Sequence, residues 1–342
     1  MKINLFLCTK KPLKINGLIT KWSGKQEIKI CLNLILLIKL GGNMNIEIIE
    51  KNKINDHELV SVKKMGNIVE ICHCEKRKTT ASIKLLNKNY YENLQTGEII
   101  ECKHIENRAN SRAQVAQSLK RLRDYLNTNI IDVSKCKWIT LTYAENMTDT
   151  NRLYKDFKNF IKRFRYNFKL LKFEYIVAME PQERGAWHCH CVFIFKNDAP
   201  FIPNEKIAEI WSHGFTKTTK LDNVDNIGAY LTAYLGDIEY DAITHGNEKN
   251  YRIKKVIEID NNNKQQEKKY IKGGRLNLYP PKFNLYRISR GIKKPNKVYM
   301  QYSVAKEKIG LNKPTFSKTI KLTDLDNSYT NKITYEHYNT KR

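Results

Sequence analysis

The sequence predicts an α+β protein, a central antiparallel sheet flanked by helices, with a basic C-terminal extension. Three observations lead there. Segments with the two-residue alternation of strands are interleaved with segments that carry the 3.6-residue stripe of amphipathic helices. Neighbouring strand-like segments are joined locally by turn-like stretches, which favours antiparallel pairing over a doubly wound sheet. Residues 285–342 hold thirteen Lys or Arg against four Asp or Glu, so the end of the chain has its own electrostatic character.

Taken in order, residues 1–43 read as a poorly determined leader, with Met44 a candidate start. Its apolar run Ile30–Leu40 contains Asn33 and Lys39 and is about half of the ~20 residues that a membrane span requires. No small-x-small cleavage pattern follows it. Residues 44–106 are strand-rich, with short alternating runs broken at Gly66, Asn87 and Thr96-Gly97. Ser111 and Gln114 have the spacing of a capping box, and Val115, Leu119, Leu122 and Leu126 follow at helical spacing, predicting a helix from about Ser111 to Asn127. Lys137–Tyr143 alternates as a strand. Leu153, Phe157, Phe160, Ile161, Phe164 and Phe168 form an apolar helical stripe opposite Lys155, Lys158, Lys162 and Arg165. Strands are expected at Phe173–Met179 and His188–Phe195, joined by a turn at Pro181–Gly185. Asn204 is placed to cap a short helix to Trp211, and Asp225 another carrying Ile227, Tyr230, Leu231, Tyr234 and Leu235. Residues from about Ile238 to Lys272 are polar, with Asp260–Asn263 as the tip of a candidate hairpin. The expected units are therefore the leader 1–43, a strand-rich segment 44–106, a chemistry-bearing domain 107–275, and a basic C-terminal region 276–342.

Composition narrows the function. The formal net charge is +26 and the sequence pI about 9.6, which points away from acidic-surface metabolic enzymes and towards a polyanionic partner, nucleic acid first. A chain rich in Lys, Asn and Ile also reflects AT-rich coding, which accounts for part of the excess. The eight cysteines are scattered through a chain long enough to build a core without disulfides, which fits a reducing, cytoplasmic setting.

The chemistry concentrates in Trp187–Phe195, WHCHCVFIF. On a strand, His188 and His190 face one side and Cys189 and Cys191 the other, so the four cannot gather round one tetrahedral zinc. Two imidazoles about 7 Å apart along one face can share an ion if a third donor comes from a neighbouring strand. Glu180, ending the preceding strand, is the candidate donor. Mixed imidazole and carboxylate ligands suit Mg²⁺ or Mn²⁺ bound with phosphate oxygens. A histidine pair that only fills space fits the same pattern. Tyr230 and Tyr234 stand at i and i+4 on one helix face. They are either a packing pair or phenols able to attack phosphorus once deprotonated, a metal polarising the phosphate and the departing 3′-oxygen. Cys72-His73-Cys74 with Cys102-Lys103-His104 is a weaker zinc pattern, since its ligands too are split between strand faces.

In order along the chain, WITLTYAENMTD (Trp138–Asp149), YIVAMEPQERGAWHCHCVFIF (Tyr175–Phe195), IWSHGF (Ile210–Phe215) and VDNIGAYLTAYL (Val224–Leu235) resemble the HUH endonuclease superfamily. Within it they are most similar to the rolling-circle replication initiator (Rep) proteins of small bacterial plasmids and related phages and integrated elements. The resemblance extends from about Asn107 to Leu235. It implies an HUH-like sheet with the His-x-His strand at its centre, His188 and His190 as metal ligands with Glu180 as the acidic third, and Tyr230 and Tyr234 as paired nucleophile positions. Thr140 and Thr142 would be structural and DNA-proximal. It further implies metal-dependent endonuclease and strand-transferase chemistry through a 5′-phosphotyrosine, acting on single-stranded and hairpin origin DNA.

Ala233 and Asp237 stand where family members often carry lysines, and Lys217, Lys220, Lys254 or Lys255 are candidate substitutes. Lys217, Arg275, Arg290, Lys293 and Lys294 are the candidate DNA-contacting cations, the last three in the basic turn Ser289–Pro295. Tyr279, Tyr286 and Tyr299 interleave with these charges, as in a single-strand surface or a packed core. No G-x-x-x-x-G-K-[ST] loop occurs, so a host helicase and DNA polymerase are the expected partners, with no membrane. Alternatives are a conjugative relaxase or transposase of the same chemistry, and a sequence-specific DNA-binding protein without catalysis.

Overall fold

The computed structural model describes residues 13–15, 18–20, 44–49, 53–77, 83–94, 96–102, 106–219, 221, 227–228, 232, 235–240, 253–259, 265–324 and 329–341. The apolar run Ile30–Leu40, the hairpin tip 260–263, Lys220, His104 and the two candidate nucleophiles Tyr230 and Tyr234 lie outside them. Short strands β1 (Leu13–Ile15) and β2 (Leu18–Thr20) come first, then β3 (Met44–Ile49), β4 (Leu59–Met65), β5 (Ile68–Cys74), β6 (Ile83–Leu85), β7 (Tyr90–Asn93) and β8 (Ile99–Glu101). Helix α1 (Arg112–Asn129) leads into β9 (Cys136–Thr142), α2 (Thr150–Asn167), β10 (Phe173–Pro181), β11 (Trp187–Phe195), α3 (Asn204–Trp211) and β12 (Thr216–Thr219). The remainder is β13 (Ile238–Glu239), β14 (Ile253–Ile259), β15 (Gln265–Ile271), β16 (Tyr286–Ile288), β17 (Asn296–Gln301), α4 (Tyr302–Ile309), β18 (Phe316–Asp324) and β19 (Thr330–Asn339).

The fold is a mixture of α-helices and antiparallel sheets. One sheet has the order β12-β9-β11-β10-β16, antiparallel throughout, with the His-x-His strand β11 in the middle. Its two faces bury different cores. On one, Ile139, Leu141, Val177, Met179, Cys189, Cys191 and Phe193 meet the apolar stripe of α2. Phe173 and Phe193 stack at 4.6 Å and Phe164 meets Phe193 edge-on at 4.9 Å, while Lys155, Lys158, Lys162 and Arg165 face solvent. On the other, Ile176, Ala178 and Val192 meet Leu122 and Leu126 of α1, and Ile227 joins them. The alternation of β11 thus puts its cysteines in the aromatic core and its histidines on the α1 side.

A second, six-stranded sheet has the order β17-β4-β5-β19-β18-β3. It unites strands from residues 44–74 with strands from residues 296–339, which the sequence assigns to different regions. Strand β14 pairs with β15 as a hairpin and β2 adds to its edge, and β6, β7 and β8 form a small sheet of their own. Residues beyond 275 also belong to the first sheet's unit: β16 is its edge strand, and Leu276, Tyr279, Phe283 and Leu285 are buried in the aromatic core beside Trp187. A boundary at 275 therefore falls inside a packed unit.

Two local expectations change. The Ser111 side chain makes no cap hydrogen bond. A 3₁₀ turn, Arg108–Ser111, precedes α1 instead, its first amide bound by the Asn107 side chain, and Gln114 binds Arg108 rather than the helix start. Helix α3 starts at Asn204, with Pro203 at the cap position. The Asn204 amide donates to the Thr216 carbonyl at 2.9 Å, tying the helix to β12.

The six-stranded sheet meets α1 through a buried charge cluster. Glu70 of β5 contacts Lys63 at 3.3 Å, Lys120 of α1, and His337 of β19 at 3.4 Å, and Lys63 reaches Asp124 of α1 at 2.8 Å.

Candidate active site

Strand register assembles the site. Glu180 pairs directly with His188 and Ala178 with His190 across β10 and β11, while Thr142 and Thr140 stand opposite the same histidines on β9. Directly paired residues project to one face, so Thr140, Thr142, Glu180, His188 and His190 share the α1 side of the sheet. Lys217 of β12 pairs with Thr140 and continues that row, exposed.

His190 Nε2 lies 3.0 Å from Glu180 Oε2, and its Nδ1 lies 3.4 Å from the Thr140 hydroxyl. With Nε2–H donating to the carboxylate, Nδ1 is left to accept from Thr140, which fixes the tautomer. His188 sits beside it, ring centroids 6.2 Å apart. Its Nε2 is buried and has no hydrogen-bond partner among the described residues. Burial first, then the charge of His190, pushes the His188 pKa down to about 4, so the ring is neutral at pH 7 with a lone pair available.

Glu180 is 8 % exposed. Burial alone would raise its pKa, but hydrogen bonding and charge from His190, followed by Arg275, hold it below the usual carboxylate range. Arg275 is thus no free surface cation: its guanidinium contacts Glu180 Oε1 at 2.5 Å. The turn carrying it also grips the stretch after Tyr234. Arg275 N–H donates to the Gly236 carbonyl at 3.0 Å, Gly273 N–H donates to Asp237 Oδ1 at 2.9 Å, and a Cβ on Gly274 would lie 3.1 Å from the Ile238 side chain. Asp237 and Arg275 therefore have structural partners where the sequence suggests a missing lysine and a phosphate contact.

The flanking motif braces the sheet. Trp211 is fully buried and its indole N–H donates to the Thr142 carbonyl at 2.9 Å. Gly214 has φ +150°, and a Cβ there would sit 2.4 Å from the Ala144 amide nitrogen, so only glycine lets this loop approach the end of β9. Arg290, Lys293 and Lys294 are exposed. Their loop is held rigidly, with Gly291 N–H on Glu174 and Lys293 bonded through both backbone groups to the Asn129 side chain at 2.8 Å. Tyr279 is core, its hydroxyl donating to the Met179 carbonyl at 3.1 Å. Tyr286 packs on Tyr125, whereas Tyr299 is exposed.

For a divalent cation the donors fit in kind: one orphaned neutral imidazole nitrogen, a second imidazole and a carboxylate, on adjacent strands. Among the described residues no three His, Cys, Asp or Glu side chains are already gathered round one point. His190 and Glu180 are instead bonded to each other. In the alternative zinc pattern, His73 pairs with Glu58 at 3.1 Å and Cys74 with Asn331.

No helix among the described residues is long and apolar enough to cross a membrane. No curated protein and no solved structure matches the chain. Residues 136–239 match the family described as Replication-associated protein, the group of ORF2 and gene 2 proteins. The matched stretch opens with β9, closes with β13, and contains Thr140, Thr142, Glu180, His188, His190, Lys217 and both tyrosines. The resemblance read from the motifs is borne out over these residues, and the chain is a replication-associated protein of the rolling-circle initiator type.

Proposed function

We propose that this protein nicks and rejoins single-stranded origin DNA through a tyrosine-linked intermediate, and so starts rolling-circle replication. The observation that carries the reading is the Glu180–His190–Thr140 chain beside a neutral, unpartnered His188, inside the segment that matches the replication-associated family. Glu180, His188 and His190 are the residues that would hold Mg²⁺ or Mn²⁺. When bound, the ion would polarise a phosphate oxygen and stabilise the departing 3′-oxygen.

The chain's own groups supply the rest. Thr140 orients His190, and Arg275 holds Glu180 in place without its being protonated. Lys217, on the same row, is positioned to contact a phosphate of the incoming strand. The phenol oxygen of Tyr230 or Tyr234 attacks the scissile phosphorus, its proton passing to solvent or a nearby base. The P–O3′ bond breaks, the 3′-oxygen takes up a proton, and the 5′-phosphate remains on tyrosine. The 3′-OH then primes a polymerase, and because the phosphodiester energy is kept in the phosphotyrosine, rejoining requires no ATP. The other tyrosine is available to accept the regenerated strand, and unwinding falls to a host helicase. The exposed Arg290, Lys293 and Lys294 form the adjoining DNA-contacting surface.

The test is incubation of the purified protein with Mn²⁺ and a labelled single-stranded oligonucleotide carrying the element's candidate origin. A covalent adduct is expected, abolished by the double change Tyr230→Phe with Tyr234→Phe, and the more damaging single change identifies the primary nucleophile. DNA binding without any adduct would overturn the enzymatic reading in favour of a non-catalytic DNA-binding protein.

A further inference from the structure

The stretch that carries the tyrosines is tied down by a residue that no motif includes. Asn127, in the last turn of α1, is 5 % exposed. Its side-chain Oδ1 accepts from the Gly228 amide at 2.7 Å, in a buried position. Gly228 stands two residues before Tyr230, and its carbonyl in turn accepts from the Thr232 hydroxyl at 2.7 Å and the Thr232 amide at 3.2 Å. The Gly228 amide therefore heads a helical turn and has no acceptor within it, so an acceptor must come from elsewhere. Asn127 provides it across the helix–helix contact. The approach is close enough to demand glycine: a Cβ at 228 would lie 2.5 Å from the Arg123 carbonyl and 2.8 Å from Asn127 Oδ1.

The other side of Asn127 is held as well. The β4–β5 turn abuts it, and a Cβ on Gly66 would be 2.7 Å from the Asn127 carbonyl oxygen. One buried amide side chain is thus sandwiched between the six-stranded sheet and the start of the tyrosine-bearing turn.

We propose that Asn127 is a positioning residue for strand cleavage, setting the start of the tyrosine-bearing stretch against α1 so that the phenols are presented to the histidine face of the sheet. The inference rests on the nicking reading for its catalytic consequence, and on the Asn127–Gly228 hydrogen bond alone for its structural content. Asn127→Asp keeps an acceptor oxygen at the same place; Asn127→Leu keeps the bulk and removes the acceptor.

Amide hydrogen exchange of peptides spanning 226–235 is measured alongside the rate of covalent adduct formation with Mn²⁺ and the origin oligonucleotide. In Asn127→Leu, exchange should rise and adduct formation fall by roughly tenfold each, the scale of one missing buried hydrogen bond, with oligonucleotide affinity within about twofold, while Asn127→Asp recovers both. Asn127→Ala replaces the leucine variant if its melting curve reports no folded state. Unchanged exchange overturns the proposal, and so does faster exchange with an undiminished adduct rate. A wild-type chain that forms no adduct removes the nicking reading and with it the catalytic role, while the exchange comparison still decides whether Asn127 fixes the segment.

Discussion

Replacing Glu70 by Gln tests what joins the six-stranded sheet to α1. The Glu70 side chain is 7 % exposed and is in contact with Lys63, Lys120 and His337, while Lys63 also reaches Asp124 at 2.8 Å. Burial alone would raise the pKa of Glu70, but Lys120 first, and then His337 and Lys63, hold it well below the usual carboxylate range. Glutamine conserves the shape and leaves the partners short of one negative charge. Removing one member of a buried pair costs about 3–5 kcal/mol. Asp124 remains to serve Lys63 and stands 3.8 Å from Lys120, so a loss of about 2–4 kcal/mol is expected, or roughly 5–10 °C in Tm.

The sign with pH follows from linkage. A carboxylate with a depressed folded-state pKa contributes stability that is complete above its unfolded value, about 4.3, and that is lost as pH falls through the folded value. Urea denaturation followed by circular dichroism at pH 7, 5 and 3.5 should therefore give a wild-type advantage that is full at pH 7 and 5 and smaller at 3.5. A difference below about 0.5 kcal/mol at pH 7, the size of an ordinary surface substitution, would refute the reasoning. An advantage that does not narrow on acidification would equally refute it.

Arg275→Ala leaves the buried Glu180 with His190 as its remaining charged partner. It should destabilise the fold by about 1–3 kcal/mol in urea denaturation, less than a fully buried pair because Arg275 is partly exposed, and Arg275→Lys should recover part of this. Gly214→Ala forces a side chain into a φ of +150° against the Ala144 amide; a loss of about 2–3 kcal/mol is expected in the same assay, and wild-type stability would contradict the close approach described. Changing Arg290, Lys293 and Lys294 together to Ala should leave thermal stability intact. It should reduce the salt slope of DNA binding, measured by fluorescence anisotropy, by about 0.7–0.9 for each phosphate that is no longer neutralised. An unchanged slope would place the DNA elsewhere.

Local signals are the legible ones. Helix α2 and strands β9, β10 and β11 announce themselves through stripes and alternation whose partners lie within a few tens of residues, and the facing of His188 and His190 away from Cys189 and Cys191 follows from strand period alone. The same alternation places Thr140 and Thr142 with them once the register is known. The role of Arg275 is not legible: Gly273-Gly274-Arg275 reads locally as a basic turn, and its carboxylate partner lies 95 positions earlier in the chain. Asn127 is hidden for a related reason, since a polar residue near a helix end carries no mark of an acceptor reserved for a distant amide. The capping box at Ser111 fails because Asn107 offers the backbone an earlier 3₁₀ turn, a competition that spacing rules do not weigh. Least visible is the six-stranded sheet, whose strands β4 and β5 find their neighbours β17 and β19 more than two hundred residues later.

That last arrangement has a consequence for how the protein comes into being. During synthesis β4 and β5 leave the ribosome early as a hairpin with both edges open, and each edge must wait for a strand made near the end of the chain. Unpaired edges invite association with other chains, and pairing across so long a stretch is slow because loop closure must precede the contacts that reward it. The Gly66 turn that presses on Asn127 belongs to this same hairpin, and gains its rigid backing only when β17 and β19 dock. A polypeptide terminated prematurely, even one that already contains every histidine and tyrosine of the site, would lack that backing. Completion of the chain is thereby built into assembly of the site, so that truncated translation products would be poor at cutting the element's DNA.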